Sequence, residues 1–289
     1  MNISAKEKNN NLIINNLQDF DIDQIFNSGQ SFRNFSTEDG SYINIVSGRA
    51  FRFSQNGSSL MISNSDLSDL SFWDHYFDLS TDYSFFKNHF KNDLVLSKAT
   101  SFGSGIRILN QEPFETLITF ILSANNNIPR IKNNVERISK NYGNKIKSDL
   151  GTFYSFPDAK KLASLCPEDL RENCGVGFRD KRIVETSELI ADGNILLDDI
   201  FDMDTNSARK YIMQLPGVGP KVADCVLLFS FKKRDVFPVD TWIQKIMYKH
   251  YVSNDFPKTK LNEFGINHFG EYSGLAQQYL FYYARENKI

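Results

Sequence analysis

The sequence of 289 residues lacks several features that would fix a protein's class. Its three cysteines, Cys166, Cys174 and Cys225, include no CxxC pair, so neither a disulfide framework nor a zinc site is predicted. Four clustered cysteines for an iron–sulfur centre are also absent. No run of about 18 apolar residues is present that could span a bilayer. The asparagine-rich N-terminus lacks the apolar stretch that a secretory signal contains. We therefore expect a cytoplasmic protein, nucleoid-associated if prokaryotic, without a metal or cofactor.

Neither sign of charge dominates the sequence. Lysine and arginine number 33 and aspartate and glutamate 35, which argues against indiscriminate coating of nucleic acid. Locally, residues 130–147 contain six basic side chains against the single acid Glu136, and residues 232–234 form a second basic run. Solvated helix ends explain such runs equally well, so charge alone does not identify a function.

The pattern of apolar residues changes along the chain. Tyr42–Val46, Phe51–Ser54 and Leu60–Ser63 are short segments rich in β-branched or aromatic residues, and residues 55–57, Gln-Asn-Gly, favour a hairpin between two of them. Regular helical spacing begins near Pro113. The predicted fold class is α+β, with an N-terminal antiparallel β-sheet domain packed on a larger all-helical body. The predicted domains are residues 1–104 and 105–289, the second with a helix-hairpin-helix at about 204–231 and a loop at about 232–240.

The most informative segment reads LPGVGPKVADCVLLFSFKKRDVFPVD, residues 215–240. Gly217 and Gly219 lie between two helical patterns, and backbone amides at the start of the second helix can hold a phosphate. Lys221 follows this anchor, where its amine could attack a sugar carbon once it has lost its proton. A solvated lysine at a helix start is the alternative.

Two more residues of the segment carry candidate chemistry. Cys225 is one helical turn beyond Lys221, so both could line one pocket, although a small buried thiol fits the same spacing. Asp240 precedes another helical pattern, where aspartate is a good N-cap. A carboxylate fixed there can also face positive charge that develops on a sugar.

Three further motifs accompany this segment in order. They are SGQSFR at residues 28–33, ILSANNNIPR at 121–130 and GFR at 177–179. Together with the hairpin and the FPVD sequence, they resemble the 8-oxoguanine DNA glycosylase family of the helix-hairpin-helix glycosylase superfamily, from about residue 12 onward. The resemblance implies a bifunctional glycosylase and AP lyase that excises 8-oxoguanine from duplex DNA in base excision repair.

The resemblance also implies roles in the reaction. Lys221 would attack the anomeric carbon and form a Schiff base that permits β-elimination, while Asp240 would stabilise the cationic sugar. Gly29 would offer its carbonyl to the N7 hydrogen that 8-oxoguanine has and guanine lacks. Gln277 would bind the pairing edge of the base and Phe281 would stack on it opposite Cys225. Gln277 could equally be an exposed glutamine, and Phe281 could equally be a core phenylalanine.

On the DNA side, the resemblance implies contacts from eight residues. These are Asn125, Arg130 and Arg179 on the orphaned cytosine, Phe178 as a wedge, Asn127 in the loop backbone, Gly217 and Gly219 on phosphate, and Trp242 in place of a phosphate-contacting histidine. Read singly, each arginine also fits a phosphate contact. The sequence departs from the family at Trp242, at Phe178, which replaces a tyrosine, and at Asn34, which replaces a tryptophan and is expected to loosen packing near the base pocket.

The expected partner is double-stranded DNA containing 8-oxoguanine, bound by a monomer, with no membrane contact. No cofactor is expected, although carbonyls of the hairpin loop could coordinate a monovalent ion. Two alternatives remain: a glycosylase of the same superfamily for another lesion, and a non-catalytic helix-hairpin-helix DNA-binding protein. A binding module has no reason to pair Lys221 with Asp240.

Overall fold

A six-stranded antiparallel sheet forms the N-terminal part of the molecule, in the order β1-β2-β6-β5-β4-β3. The computed structural model describes residues 3–289. The strands are β1 Ser4–Lys8, β2 Asn11–Asn15, β3 Asn34–Ser36, β4 Tyr42–Val46, β5 Arg49–Asn56 and β6 Ser59–Ser63, with helix α1 Ile22–Asn27 between β2 and β3. The predicted strands at 42–46, 51–54 and 60–63 are confirmed, whereas β1, β2 and β3 were not predicted.

The predicted hairpin joins β5 to β6. Asn56 pairs with Ser59, which leaves Gly57 and Ser58 as a two-residue turn. Gly57 has φ of 56°, a conformation that glycine adopts without steric cost. The local sequence therefore fixes the register of these two strands.

Helices make up most of the remaining chain. They are α2 Leu70–Tyr76, α3 Tyr83–His89, α4 Leu94–Phe102, α5 Pro113–Leu122, α6 Ile128–Tyr142, α7 Ala159–Ala163, α8 Pro167–Cys174, α9 Asp180–Ala191, α10 Thr205–Ile212, α11 Pro220–Ser230, α12 Thr241–His250, α13 Leu261–Phe269 and α14 Ser273–Glu286. A small hairpin, β7 Lys145–Ser148 and β8 Gly151–Tyr154, separates α6 from α7. Between residues 3 and 289, none of these helices combines the length and apolarity needed to cross a membrane.

Two hydrophobic cores hold these elements together. The smaller core joins the sheet to α1 and α2 and contains fully buried Phe53, Trp73 and Phe77. The larger core gathers the helical body, and it also includes Tyr83 and Leu96 from α3 and α4. The α+β prediction is confirmed, while the domain boundary at residue 104 stays a prediction.

The sheet part contributes one loop to the helical body. After α1, the Gln30 side chain donates to the Arg107 carbonyl and accepts from the Leu109 amide, both at 2.8 Å. Gln111 donates to the Gln30 carbonyl at 2.8 Å. These bonds fix the Gly29 loop against the segment that leads into α5.

Candidate active site

A tight hairpin connects α10 to α11. Gly217 has φ of 85°, and the Val218 amide donates to the Leu215 carbonyl at 3.1 Å. A Cβ at Gly217 would lie 3.0 Å from Arg182 Cδ, so both conformation and space favour glycine there. Gly219 ends the hairpin, with open space around its Cα and no side-chain cap for α11. The first amides of α11 can therefore meet an anion.

Lys221 extends from the first turn of α11 toward the end of α5. Its Nζ lies 3.0 Å from Ser123 Oγ and 5.1 Å from the centre of the Phe120 ring. The Ser123 hydroxyl in turn donates to the Phe120 carbonyl at 2.6 Å. The amine is thus held at the C-terminus of α5 and faces a cavity.

Asp240 caps α12, as the sequence predicts. One carboxylate oxygen accepts from the Ile243 amide at 2.8 Å. Burial raises the pKa of Asp240 above its usual range, although the helix-start amide of Ile243 and the charge of Lys221 both favour the ionised form. The carboxylate therefore sits near a cation in a largely desolvated setting.

Buried Asp224 ties α11 to the loop that carries Asp240. Its carboxylate accepts from Arg209 Nε at 2.6 Å, from Asn262 Nδ2 at 2.6 Å and from the Phe237 amide at 3.3 Å. Asn262 also donates to the Phe237 carbonyl at 2.7 Å. This cluster fixes the two catalytic candidates relative to each other.

One cavity of about 780 Å³ brings most of the predicted site residues together. Ten of the fourteen line it: Gly29, Asn125, Asn127, Arg130, Lys221, Cys225, Asp240, Trp242, Gln277 and Phe281. The other four, Phe178, Arg179, Gly217 and Gly219, lie outside its lining. Residues from both ends of the chain therefore meet at a single site.

The Gln277 side chain is buried in the wall of this cavity. It is 5% exposed, and its Oε1 has no hydrogen-bond partner within residues 3–289. An exposed glutamine is thereby excluded. An unpaired buried amide oxygen is costly, and a ligand with an N–H donor would satisfy it.

Gly29 and Phe281 form the adjacent wall. Gly29 has φ of 77°, and a Cβ there would lie 2.8 Å from Phe281 Cε1. Gln278 donates to the Ser28 carbonyl at 2.7 Å, which holds the loop against α14. Only glycine lets the loop pack this closely on the ring.

Cys225 lines the same cavity as Lys221 and Phe281. Its side chain is 5% exposed, and burial raises the pKa of its thiol to about 11. The thiol is therefore neutral at physiological pH and offers a polarisable surface for contact rather than a charge.

The loop between α5 and α6 carries the predicted contacts to the opposite strand. Asn125 has φ of 51°, and Asn127 caps α6 by accepting from the Arg130 amide at 3.0 Å. The prediction that Asn127 shapes this loop agrees with its N-cap position. The Arg130 side chain is exposed at the cavity rim.

Arg179 does not reach the cavity. It is 2% exposed and donates to the carbonyls of Ala124, Asn125 and Val176, using four of its five N–H groups. It supports the loop from behind, so a direct contact with cytosine stays a prediction. Phe178 next to it is 55% exposed and projects beside the guanidinium, which suits a wedge.

Trp242 and Asn34, two residues that depart from the family pattern, both make defined contacts. Trp242 lines the cavity with Lys245 Nζ 4.4 Å from its ring. Asn34 is 3% exposed; it donates to the Phe26 carbonyl at 3.0 Å and accepts from Lys132 Nζ at 2.6 Å. Asn34 is therefore buried and hydrogen-bonded, while the expectation that it loosens packing near the base pocket relative to a tryptophan stays a prediction.

Sequence reasoning assigned no role to two residues of this site. Ser123 contacts the Lys221 amine, and Arg285 lies 5.3 Å from the Phe281 ring while donating to the Asn27 carbonyl. Arg285 follows Phe281 by one helical turn, a spacing that could have revealed it. Ser123 ends a helix 98 residues before Lys221 and carries no such signal. Among the described residues, no three His, Cys, Asp or Glu side chains group as a metal site.

A helix-hairpin-helix whose lysine and aspartate face one cavity defines the class of base-excision DNA glycosylases. Two family models cover most of the chain. Residues 12–117 match the N-terminal domain of 8-oxoguanine DNA glycosylase, and residues 118–267 match the HhH-GPD superfamily base excision DNA repair protein. The chain belongs to the 8-oxoguanine DNA glycosylase family of this superfamily.

Individual relatives agree with the family assignment. A probable N-glycosylase/DNA lyase of Methanothermobacter thermautotrophicus is 34% identical over 75% of each chain. The N-glycosylase/DNA lyase of Saccharomyces cerevisiae is 40% identical over 51% of this chain, a match that spans only 42% of the yeast protein. The 8-oxoguanine glycosylase/lyase of Clostridium acetobutylicum, solved with double-stranded DNA containing cytosine opposite 8-oxoguanine, is 40% identical over both full chains with a TM-score of 0.97.

Proposed function

We propose that this protein excises 8-oxoguanine from duplex DNA and then cleaves the strand at the abasic site. The observation that carries the proposal is the shared cavity, which Lys221 and Asp240 line together with Gly29, Gln277 and Phe281. The Clostridium relative, similar over its whole length, was solved with the same lesion in its DNA. Chemistry on a base requires its extrusion from the duplex, and a cavity of about 780 Å³ can accommodate a flipped nucleotide.

The cavity wall supports selection of the oxidised base. The Gly29 carbonyl would accept the N7 hydrogen of 8-oxoguanine, whereas N7 of guanine would set a lone pair against that carbonyl. The unpaired Gln277 Oε1 would accept an N–H from the pairing edge of the base. Phe281 and Cys225 would contact its two faces.

The reaction would proceed by nucleophilic displacement. The lone pair of Lys221 Nζ forms a bond to C1′ while the C1′–N9 bond breaks, and its electron pair leaves with the base, which takes up a proton. The amine then loses a proton, and the sugar ring opens with protonation of O4′ to leave a Schiff base. Loss of a C2′ proton expels the 3′ phosphate. Asp240 would stabilise positive charge on the sugar throughout base departure.

Borohydride trapping tests this function. A duplex with 8-oxoguanine opposite cytosine should give a covalent complex, and Lys221→Gln should abolish it because no primary amine remains at the site. Lys8→Gln, an exposed lysine of β1, is the matched control and should trap like the wild type. An undiminished yield with Lys221→Gln would overturn the nucleophile assignment.

A lesion panel separates the alternatives. Single-turnover rates on 8-oxoguanine should exceed those on an oxidised pyrimidine, an alkylated purine and undamaged guanine. Of these bases, only 8-oxoguanine would offer an N7 hydrogen to the Gly29 carbonyl. A preference for another lesion would support a different glycosylase, and binding without any excision would support a DNA-binding module.

We also propose that the enzyme acts on genomic DNA as a monomer of two domains divided near residue 104. Lys221, Asp240, Gly29, Gln277 and Phe281 of the same chain line one cavity, which supports a monomer as the active unit. The sheet domain would supply the Gly29 loop and the helical body the remaining groups. Sedimentation of the enzyme bound to lesion duplex should give a one-to-one complex.

A further inference from the structure

Ser123 is placed between a helix end and the nucleophile. It follows the last residue of α5, and its backbone amide donates to the carbonyls of Thr119 and Phe120. The helix before it is fixed in the core by buried Leu117 and Ile118. The backbone of Ser123 is therefore fixed by packing, and its half-buried side chain lines the cavity.

The hydrogen bonds of this hydroxyl have a defined direction. A serine hydroxyl has one hydrogen, and Ser123 gives it to the Phe120 carbonyl at 2.6 Å. Toward Lys221 Nζ, 3.0 Å away, the oxygen can then act only as an acceptor. The amine must donate an N–H to it in either protonation state.

The setting strengthens this contact. The C-terminal end of a helix carries partial negative charge, and Lys221 Nζ meets the C-terminus of α5. When the neutral amine attacks carbon, its nitrogen gains positive charge, and a hydrogen bond from such a nitrogen is stronger than one from a neutral amine. Ser123 would thus bind the transition state more tightly than the neutral amine that begins the attack.

We propose that Ser123 is a catalytic residue that accepts an N–H of Lys221 and aims the remaining lone pair of the amine at C1′. It neither gains nor loses a proton in the step. This role rests on the proposed function, since it requires Lys221 to be the nucleophile.

The test compares variants under single-turnover trapping with excess enzyme and 8-oxoguanine duplex. Ser123→Ala should lower the saturated rate by about 10- to 100-fold, the scale of a misplaced reacting group, with little change in the half-saturating enzyme concentration. Ser123→Cys keeps the side-chain shape but has a weak acceptor, so it should be slow too. Ser123→Thr restores the hydroxyl and should recover most of the rate.

The matched control is Ser164→Ala. Ser164 follows the last residue of α7 and donates to the Lys161 carbonyl at 2.8 Å, so it loses the same kind of bond far from the cavity. It should keep the wild-type rate. Thermal melts of all variants are used to choose one assay temperature at which every variant is folded.

The outcomes are distinct. A wild-type rate in Ser123→Ala or Ser123→Cys, or a Ser123→Thr variant as slow as alanine, overturns the role of Ser123. A change confined to the half-saturating concentration also overturns it, because it would indicate binding alone. Failure of the wild type itself to trap would instead reject the proposed function.

Discussion

Single residues in the cavity hold conformations and charges that weaken the free protein. Gln277 keeps an unpaired buried oxygen, and Asp240 keeps a carboxyl whose ionised form is disfavoured by burial. Each feature costs stability in the free protein, although the Ile243 amide and the charge of Lys221 offset part of the cost at Asp240. This pattern is typical of sites selected for function over stability.

Asp240→Asn should separate the effect of the Asp240 carboxylate on stability from its effect on the reaction. Burial raises the folded pKa of Asp240, so its stabilising contribution is full below the unfolded value of about 3.8 and is lost as pH rises through the folded pKa. Asparagine keeps the N-cap without the charge. At pH 7 the variant should melt a few degrees higher, roughly 1–3 °C, while the trapping rate falls by about 100-fold or more.

The pH profile supplies the check on Asp240. The wild-type rate should fall as acid protonates this carboxyl, starting above the range of an ordinary aspartate, and the melting advantage of Asp240→Asn should vanish below pH 4. A variant that retains wild-type rates would remove Asp240 from the reaction.

Gly29→Ala should disturb lesion recognition specifically. The added Cβ would press on Phe281 Cε1 at 2.8 Å. Gly48→Ala is the control, since Gly48 has a similar φ of 72° but open space around it. Both should lose about 1 kcal/mol of stability from the left-handed backbone, but only Gly29→Ala should lower 8-oxoguanine excision relative to guanine. Equal rates in both variants would place recognition elsewhere.

At the scale of elements, strong local periodicity predicted the helices and the central strands. Helix α5 begins at its predicted proline, and β4 has its predicted limits. Strand β1, SAKEK, is a polar edge strand, and β3 has three residues, so neither has an apolar pattern to read. Pairing with neighbouring strands creates them.

In the candidate site, too, local patterns were informative, whereas contacts between distant segments were not predicted. Gly29, Asn125, Asn127 and Arg130, which belong to contiguous motifs, line the cavity, whereas four other motif residues, Phe178, Arg179, Gly217 and Gly219, do not. The burial of Arg179 and the contact of Ser123 with Lys221 depend on packing between distant segments. No local pattern reports such contacts, so sequence reasoning missed both.

The loop between α5 and α6 gives a prediction at this scale. Arg130→Ala should flatten the rate difference between cytosine and adenine opposite the lesion, with stability nearly unchanged because its side chain is exposed. Arg179→Ala should cost about 2–3 kcal/mol, since it leaves the Ala124 and Asn125 carbonyls without their donor. Urea unfolding and an opposite-base panel measure the two effects. A preserved cytosine preference in Arg130→Ala would show that another residue reads the base.

At the scale of the whole molecule, an ionic cluster joins the sheet part to the catalytic helix. Asp78 follows α2, is 4% exposed and accepts from Tyr83 Oη at 3.1 Å. It also pairs with Lys232 at 3.4 Å and with Arg234 at 2.5 Å, just after α11. The Asp78 cluster thus links the segment after α2 to the segment after α11, and we expect the two hydrophobic cores to unfold together.

Asp78→Ala should test that coupling. Removal of the carboxylate leaves the buried Tyr83 hydroxyl without this acceptor, while the partly exposed Lys232 and Arg234 can be solvated, so we expect a cost of about 1–3 kcal/mol. The urea midpoint should fall in one transition with an unchanged slope. Asp39→Ala breaks the exposed pair with Arg52 and should barely move the midpoint. Because Asp224 and Asn262 hold the Asp240 loop independently, the trapping rate of Asp78→Ala should stay near wild type below its melting range. Two separate transitions would instead show that the Asp78 cluster does not couple the cores.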